Sequence, residues 1–331
     1  MRLKKIIKNC LPYGIAKKIE EKRLEWLVPT ASVEPFLFDE CGNRKRTFYL
    51  DDRVCMHSPY SFSSINVGET HYINWDRFNT NLKYHFYSHN QMLEIKTPGE
   101  KNFGILIESE AIVPDLYSKL LNSPRLISKF DGIFTHSERL LNKYDNTFFI
   151  PGSSVWYGGT AGGGKLYSEM YKFKTKGISL VSSNKSQCNL HNFRLHLAEL
   201  FQSSDVVDVM GTFNGGNYVS ISDSLEKYRF SIVIENNITS CYFTEKILNF
   251  FASMTIPIYA GATDIGRFFD SNGIISISPS MTDDEIYNAV SRCTQDFYLS
   301  RIDAVKRNYE IVKQFLCIED YIYEKYKELF I

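Results

Sequence analysis

The stretch from Tyr228 to Gly261, YRFSIVIENNITSCYFTEKILNFFASMTIPIYAG, decides the predicted fold. Residues Phe230 to Ile234 form a nearly continuous β-branched and apolar run, which is typical of a strand covered on both faces, and Ile256 to Tyr259 repeat it. Between the two runs, apolar residues recur at helical spacing from Thr244 to Met254. The stretch therefore predicts a strand, loop, helix and strand unit. Its loop opens at the carboxyl end of a parallel strand, where such sheets bind ligands.

The predicted loop and the first turn of the predicted helix carry a dense polar group. Its members are Glu235, Asn236, Asn237, Tyr242, Glu245 and Lys246. The amino terminus of a helix favours anions, because its unpaired backbone N–H groups and its dipole carry partial positive charge. We therefore expect a phosphate-bearing ligand at this loop.

Composition excludes several classes of protein. The chain has 331 residues, more than a single core usually organises, so we expect two domains. A formal net charge of zero argues against nucleic acid as a partner, and the seven cysteines show no spacing typical of a disulfide framework or a zinc site. No apolar run approaches the ~20 residues of a membrane span, and the start lacks the apolar core of a signal peptide. We expect a cytoplasmic protein.

The amino-terminal segment is basic, because residues 1–23 hold eight Lys or Arg against Glu20 and Glu21. Apolar residues are interleaved with these cations, so residues 2–23 are suited to lie peripherally on an anionic membrane face. A basic helix packed on its own domain explains the pattern equally well.

Short strands alternate with helices from Phe36 to about Pro151, which predicts a first α/β domain. Within it, residues 73–90 combine aromatic rings with polar side chains, among them Trp75, Asp76, Arg77 and His85. This composition suits the binding of a sugar acceptor. A buried aromatic core with histidines at its edge is at least as good an interpretation.

A carboxylate follows the predicted strand from Ile105 to Ile107. Glu108 stands where that strand ends and a loop begins, with Glu110 two residues later. Loops at strand ends commonly carry functional side chains, so this is a suitable position for a general base. Alternatively, either carboxylate caps the helix predicted to start near Pro114.

Residues 161–176 are rich in glycine and lack apolar periodicity, so we interpret them as the connection between two domains. The second domain opens with a strand from Ile178 to Asn184 and a helix from Leu190 to Phe201. Arg194 falls in the first turns of that helix, near the end of the strand. Its guanidinium either reaches the same cleft as Lys246 and binds a phosphate, or lies on a solvent-facing helix surface.

These residues together carry a resemblance. The pair Glu235-Asn236, the run from Tyr242 to Lys246 and the run from Ile256 to Gly261 resemble the signature of the α1,3-fucosyltransferase family, glycosyltransferase family ten. FDGIFTHSERLL and FFIPGSSVW in the first half, and SSNK, LHNFR and VDVMG in the second, extend the similarity over most of the chain.

The resemblance implies an α/β protein of the GT-B fold, with two Rossmann-like domains facing a cleft. Residues 1–160 then form an acceptor-binding domain with the basic segment, and 161–176 form the linker. Residues 177–300 form the domain that binds the GDP-sugar, and 301–331 form a carboxyl-terminal helical tail. The resemblance also implies inverting transfer of L-fucose from GDP-fucose to a glycan hydroxyl, without a cofactor or a bound metal. In agreement, the sequence contains no Asp-x-Asp pair of the kind that holds a divalent ion in other glycosyltransferases.

Roles follow from the resemblance position by position. Asn236, Tyr242, Glu245 and Lys246 match the donor loop of the family, Arg194 matches its diphosphate-binding arginine, and Glu108 matches its catalytic carboxylate. Ser109-Glu110 stands where many members have Ser-Pro, so Glu110 stays the second candidate for the base.

The chain resembles the bacterial branch of the family, whose members decorate lipopolysaccharide or capsule at the cytoplasmic face of the membrane. Two other functions stay open: a transferase of the same fold that uses another nucleotide sugar, such as a GDP-hexose, and a noncatalytic glycan-binding module.

Overall fold

The computed structural model of the chain describes residues 46–53, 70–159 and 162–330. Within these ranges the chain forms two parallel sheets, one of six strands and one of five. No helix in the same ranges is long and apolar enough to cross a membrane. The basic segment 2–23 lies outside the described residues, so its membrane contact stays a prediction.

The first sheet has the strand order β2-β1-β3-β4-β5-β6, and every neighbouring pair is parallel. Its strands are β1 (Arg46–Asp51), β2 (Ile73–Asp76), β3 (Tyr84–Ser88), β4 (Lys101–Leu106), β5 (Gly132–Thr135) and β6 (Thr147–Phe149). The helices between them are α1 (Pro114–Leu121), α2 (Pro124–Ile127) and α3 (Glu138–Leu141). Because the strands are parallel, their carboxyl ends meet at one edge of the sheet.

The aromatic segment at residues 73–90 is part of this sheet, where it forms β2 and β3. Trp75 and His85 are both fully buried. The Trp75 indole donates a hydrogen bond to Glu319, and the two ring nitrogens of His85 lie against the carbonyl oxygens of Thr97 and Leu82. Trp75 and His85 thus belong to the buried aromatic core of this sheet, and an acceptor contact by either residue stays a prediction.

The second sheet has the order β11-β10-β9-β7-β8, again with every pair parallel. Its strands are β7 (Lys176–Val181), β8 (Val207–Met210), β9 (Tyr228–Ile234), β10 (Ile256–Ala260) and β11 (Ile275–Ser276). The first three helices of this half are α4 (Asn189–Phe201), α5 (Ile221–Leu225) and α6 (Glu245–Ala252). The strand, loop, helix and strand unit predicted from Tyr228 to Gly261 is thus β9, its loop, α6 and β10.

The chain ends in four helices, α7 (Asp283–Ser291), α8 (Gln295–Ser300), α9 (Ile302–Val312) and α10 (Ile318–Tyr326), and then a short 3₁₀ helix, Lys327–Phe330. The last part of this tail packs on the first sheet. Phe330 is fully buried in an aromatic cluster with Phe48 and Phe86, and the Tyr326 hydroxyl donates to the Phe149 carbonyl at 2.7 Å. Tyr326 and Phe330 therefore complete the core of the domain that contains the first sheet.

Candidate active site

Glu235 organises the loop that follows β9. It is fully buried, and its carboxylate accepts hydrogen bonds from the Thr244 backbone N–H at 2.9 Å and the Thr244 hydroxyl at 2.8 Å. Thr244 is the N-cap of α6, because its hydroxyl oxygen also accepts from the Lys246 N–H at 3.3 Å. The two ends of the loop are thereby joined through one carboxylate.

Close packing behind Glu235 explains a glycine of the signature. A Cβ atom at Gly261 would lie 2.1 Å from the Tyr259 hydroxyl and 2.6 Å from Cγ of Glu235. The Tyr259 hydroxyl accepts a hydrogen bond from the Ala262 N–H at 2.8 Å, so it is held in place. Only glycine fits between these groups, because either contact is far inside van der Waals distance.

Lys246 lies in the first turn of α6 between two carboxylates. Its ammonium group is 3.4 Å from Glu235 and 3.7 Å from Glu245, and its side chain keeps 24% exposure. Burial by itself would lower the pKa of Lys246, but Glu245 and Glu235 outweigh it and the pKa is raised. Lys246 is therefore a permanent cation that faces the cleft.

Glu108 lies at the carboxyl end of β4 and is brought to the same place from the other sheet. Burial raises the pKa of the Tyr242 phenol, and Glu235 and then the charge of Glu108 raise it further. The pKa of Lys246 is raised against burial by Glu245 and Glu235, and to a smaller extent by Glu108. Within the described residues, Glu108 forms no ion pair, and its carboxylate accepts a hydrogen bond from the neighbouring Ser109 N–H at 3.0 Å. The predicted catalytic carboxylate thus lies close enough to Lys246 and Tyr242 of the predicted donor loop for their charges to interact.

Three buried side chains hold the main chain of Glu108. Its N–H donates to Nε2 of His89 at 3.2 Å, and its carbonyl accepts from the Tyr117 hydroxyl at 2.7 Å and lies 3.3 Å from Nε2 of His136. Nε2 of His136 is also 3.1 Å from the Tyr117 oxygen. We call His89, Tyr117 and His136 the Glu108 clamp.

The clamp needs both histidines neutral. His89 accepts from an N–H through Nε2, so its proton is on Nδ1, whereas His136 faces two oxygens with Nε2, so its proton is on Nε2. Burial lowers the pKa of His89 to about 4, against a smaller opposing effect of Asp52, and burial also lowers the pKa of His136 to about 4. The backbone of His89 is in the left-handed region, with φ of 48°. Residues other than glycine adopt this conformation only rarely.

Tyr242 joins the two halves of the site. It belongs to the loop after β9, it is 1% exposed, and its ring centroid lies 4.6 Å from that of His136. Because His136 belongs to the clamp, the Tyr242 ring contacts the structure that positions Glu108. This burial fits a role in which the ring of Tyr242, and not its hydroxyl, makes the contact. Burial and then Glu235 raise the pKa of the Tyr242 hydroxyl well above its usual value.

A cavity of about 270 Å³ opens beside Lys246. Its polar lining includes Arg194, Glu245 and Lys246, and its apolar lining includes Trp156, Val219, Ile221, Leu225 and Ile232. Arg194 is half-buried, its hydrogen bonds to Ser183 and Lys185 are long at 3.5 Å each, and its Nε has no hydrogen-bond partner within the described residues. The cavity therefore combines an apolar wall with an incompletely satisfied guanidinium and a lysine.

The remaining predicted residues lie elsewhere on the cleft side of the first domain. Glu110 forms an ion pair with Arg139 at 2.5 Å and lines a second cavity between the two sheets. Asp76 accepts the backbone N–H groups of Phe78 and Asn79, and Arg77 lies 3.8 Å from Asp52. Asp76 thus closes a turn in this structure, and an acceptor contact by Asp76, Arg77 or Glu110 stays a prediction.

Sequence reasoning missed the clamp and underused Glu235. Glu235 directly follows a buried apolar run, which is a signal that could have identified it as an organising carboxylate. His89, Tyr117 and His136 are far apart in the sequence, and nothing in their local pattern relates them to Glu108. Across residues 46–53, 70–159 and 162–330, no three His, Cys, Asp or Glu side chains come together as a possible metal-ligand set.

Comparison with known proteins agrees with this architecture. Residues 172–300 match the family described as Glycosyltransferase family 10 (fucosyltransferase) C-term. A crystal structure of an α1,3-fucosyltransferase is similar with a TM-score of 0.52 and 17% identity, over 88% of this chain and 96% of that chain. An Anabaena protein, HepE, in complex with UDP and glucose is similar with a TM-score of 0.54 and 9% identity, over 86% of this chain and 98% of that chain.

The chain shares its two parallel sheets with these structures and has the GT-B fold, so the predicted fold class is confirmed. Within that fold, residues 172–300 resemble the carboxyl-terminal domain of glycosyltransferase family 10, the fucosyltransferases.

Proposed function

We propose that this protein transfers L-fucose from GDP-fucose to a hydroxyl group of a glycan acceptor, with inversion at the anomeric carbon. The observation that carries the proposal is the contact between Tyr242 of the donor loop and His136 of the clamp that holds Glu108, with ring centroids 4.6 Å apart. A structure of an α1,3-fucosyltransferase with GDP is similar, with a TM-score of 0.51 and 17% identity over 88% of this chain and 96% of that one, and it supports a guanosine nucleotide as ligand.

The donor occupies the cavity beside α6 in this proposal. Its apolar wall suits the nucleoside, while Arg194 and Lys246 at its polar side supply cations for the diphosphate. Glu245 has a side chain only 19% exposed and is an acceptor when ionised, which suits the ribose hydroxyls. Asn236 and Tyr242 complete the donor loop.

Catalysis then needs one base and one set of fixed positive charges. Glu108 removes the proton from the acceptor hydroxyl as that oxygen attacks the anomeric carbon on the face opposite GDP. The bond to GDP breaks, and the negative charge that grows on the diphosphate is stabilised by Lys246, Arg194 and the amino terminus of α6. In this proposal these groups replace a divalent metal ion.

The acceptor is a residue of a surface polysaccharide in this proposal, with transfer to the 3-hydroxyl of GlcNAc or a related sugar of lipopolysaccharide or capsule. The basic segment 2–23 then holds the enzyme peripherally at the inner face of a bacterial membrane, where lipid-linked glycans are built. Deleting residues 2–23 should abolish sedimentation with phosphatidylglycerol vesicles, which in the full-length chain should weaken as salt rises. Binding that is unchanged by the deletion would contradict this part.

The central test measures the affinity for GDP-fucose by calorimetry, with and without EDTA. We expect equal affinity in both conditions, and we expect GDP-fucose to bind more tightly than GDP-mannose or UDP-glucose. A strict need for manganese or magnesium, or a preference for UDP, would contradict the donor. Better binding of another GDP-hexose would favour that transferase instead, and glycan binding without turnover of any sugar nucleotide would indicate a noncatalytic module.

A further inference from the structure

The helix α4 reaches the donor loop with a second side chain besides Arg194. His191 lies one turn before Arg194 on the same helix, and Nε2 of His191 is 3.2 Å from Oδ1 of Asn236. The other ring nitrogen, Nδ1, accepts a hydrogen bond from the Gln187 backbone N–H at 3.1 Å. The thiol of Cys188 contacts the Asn236 carbonyl at 3.5 Å, so the start of α4 holds both the side chain and the main chain of Asn236.

The contact with the Gln187 backbone determines which ring nitrogen of His191 carries the proton. A backbone N–H can only donate, so Nδ1 of His191 must be the unprotonated nitrogen. A neutral imidazole then carries its proton on Nε2 and must donate to its partner. The atom of Asn236 that faces His191 is therefore the amide oxygen, although oxygen and nitrogen of an amide have nearly the same shape.

With the oxygen committed to His191, the amide NH₂ group of Asn236 is directed away from α4. Asn236 is half-buried, and no hydrogen bond from its NH₂ group is formed within the described residues. Asn236 begins the loop that joins Glu235 to α6, and Glu245 and Lys246 stand in the first turn of α6, at the other end of this loop.

We propose that His191 is a positioning residue for donor binding, which holds the Asn236 amide so that its NH₂ group donates to an oxygen of the bound nucleotide-sugar. This inference rests on the proposed function, because it needs a nucleotide-sugar at this loop. Without His191, the amide can flip at little steric cost and present its oxygen, which cannot donate a hydrogen bond and repels the anionic diphosphate oxygens. Preorganisation of this kind raises affinity, because the cost of ordering is met before the ligand arrives.

The surroundings keep His191 in the required form. Burial lowers the pKa of His191, and the nearby cations Arg194, Lys246 and Lys185 lower it further, against an opposing effect of the Asn236 contact. A protonated ring would also place an Nδ1–H group against the Gln187 N–H. The hydrogen-bonding pattern at Asn236 is therefore stable at neutral pH.

Two substitutions separate this role from a structural one. In His191→Gln, the side-chain NH₂ stands near the place of Nε2 and can donate to Asn236. In His191→Asn, the side-chain oxygen stands near the place of Nδ1 and can accept from Gln187, but nothing reaches Asn236. If His191 served only to anchor the Gln187 backbone, the Asn variant would be the better replacement. The positioning role requires the opposite order.

The experiment measures the dissociation constant of GDP-fucose, together with KM and kcat for transfer, in the full-length protein. We expect about 5- to 10-fold weaker binding and a higher KM in His191→Asn, the scale of one hydrogen bond, with kcat nearly unchanged. His191→Gln should stay within about twofold of the unmodified chain. In the Asn236→Ala background, His191→Asn should cause no further loss, because the group it positions is absent.

One measurement needs no variant. Long-range proton–nitrogen NMR correlations report which ring nitrogen carries the proton, and we expect the Nε2–H form for His191. An Nδ1–H form, a better result for Asn than for Gln, or additive losses in the double variant would each overturn the inference. If the unmodified protein binds GDP-fucose and His191→Asn binds equally well, the inference alone fails. If the unmodified protein binds no GDP-fucose, the proposed function fails and the inference with it.

Discussion

The two walls of the cleft hold their functional groups by different means. In the first domain, the clamp grips the peptide group of Glu108 with three neutral side chains and leaves the carboxylate without an ion pair among the described residues. In the second domain, the donor loop is organised by charge, because buried Glu235 is shared between Thr244 and Lys246. A general base must remain free to accept a proton, whereas the cation only has to stay charged and in place. Holding one by its backbone and the other by ion pairs meets both requirements.

A single substitution should destabilise the ion-paired donor loop of the second domain more than the clamp of the first domain. Replacing Glu235 with Leu leaves the buried face of Lys246 and the N-cap Thr244 without their shared partner, so we expect a loss of about 3–5 kcal/mol in the free energy of unfolding. Urea denaturation followed by circular dichroism measures it. Glu245→Gln removes the other, partly exposed partner of Lys246 and should cost much less. Equal losses in the two variants would show that Glu235 does not organise the loop.

The clamp of the first domain should make the folded protein less stable at acidic pH. In the folded protein His89 and His136 have pKa values of about 4, against about 6.5 in the unfolded chain. The unfolded state therefore binds these protons first. Stability that is complete above about pH 6.5 is lost as the pH falls towards 4, by about 3 kcal/mol for each histidine at most.

The pH dependence is checked by the midpoint of urea unfolding between pH 7 and 4. The measured quantity is the slope of that midpoint against pH. His136→Gln should flatten it. A variant with the same acid slope as the original chain would refute the assignment of this proton uptake to the clamp.

The base itself gives the largest expected effect on turnover. Glu108→Gln keeps the size of the side chain and removes its basicity, so we predict a fall in kcat of about 10²-fold or more with GDP affinity near that of the unmodified protein. Glu110→Gln is the matched control, and it should lose only the ion pair with Arg139. A dead Glu110→Gln enzyme beside an active Glu108→Gln enzyme would move the base to Glu110.

The smallest predicted effect tests the clamp without touching the base. Tyr117→Phe removes the hydroxyl that donates to the Glu108 carbonyl and leaves the longer contact from His136. We expect kcat to fall about 5- to 20-fold while binding of GDP-fucose is unchanged, because one hydrogen bond of about 1–2 kcal/mol is lost on the acceptor side alone. Steady-state kinetics measures both. Tyr144→Phe removes another partly buried hydroxyl of the same domain and should leave kcat unchanged.

Local patterns were sufficient where structure is set by neighbours in the sequence. The apolar runs of β9 and β10 and the helical spacing between them located the central unit. Strands β2 and β3 were not predicted, because their aromatic rings and histidines also fit a sugar-binding segment. Their burial depends on the neighbouring strands and on the tail that ends at Phe330, which lies far away in the sequence.

The sequence by itself determined the alternation of strands and helices in each half and the motif of the second domain. Hydrophobic periodicity and short-range spacing are properties of consecutive residues, so a local pattern is enough to show them. Only the tertiary structure decided how Glu108 is held and which way the Asn236 amide points. Those outcomes depend on hydrogen bonds between residues such as His89 and Glu108, or His191 and Asn236, that the parallel sheets bring together across long stretches of chain. A hydrogen bond of this kind has no periodicity, so no local pattern records it.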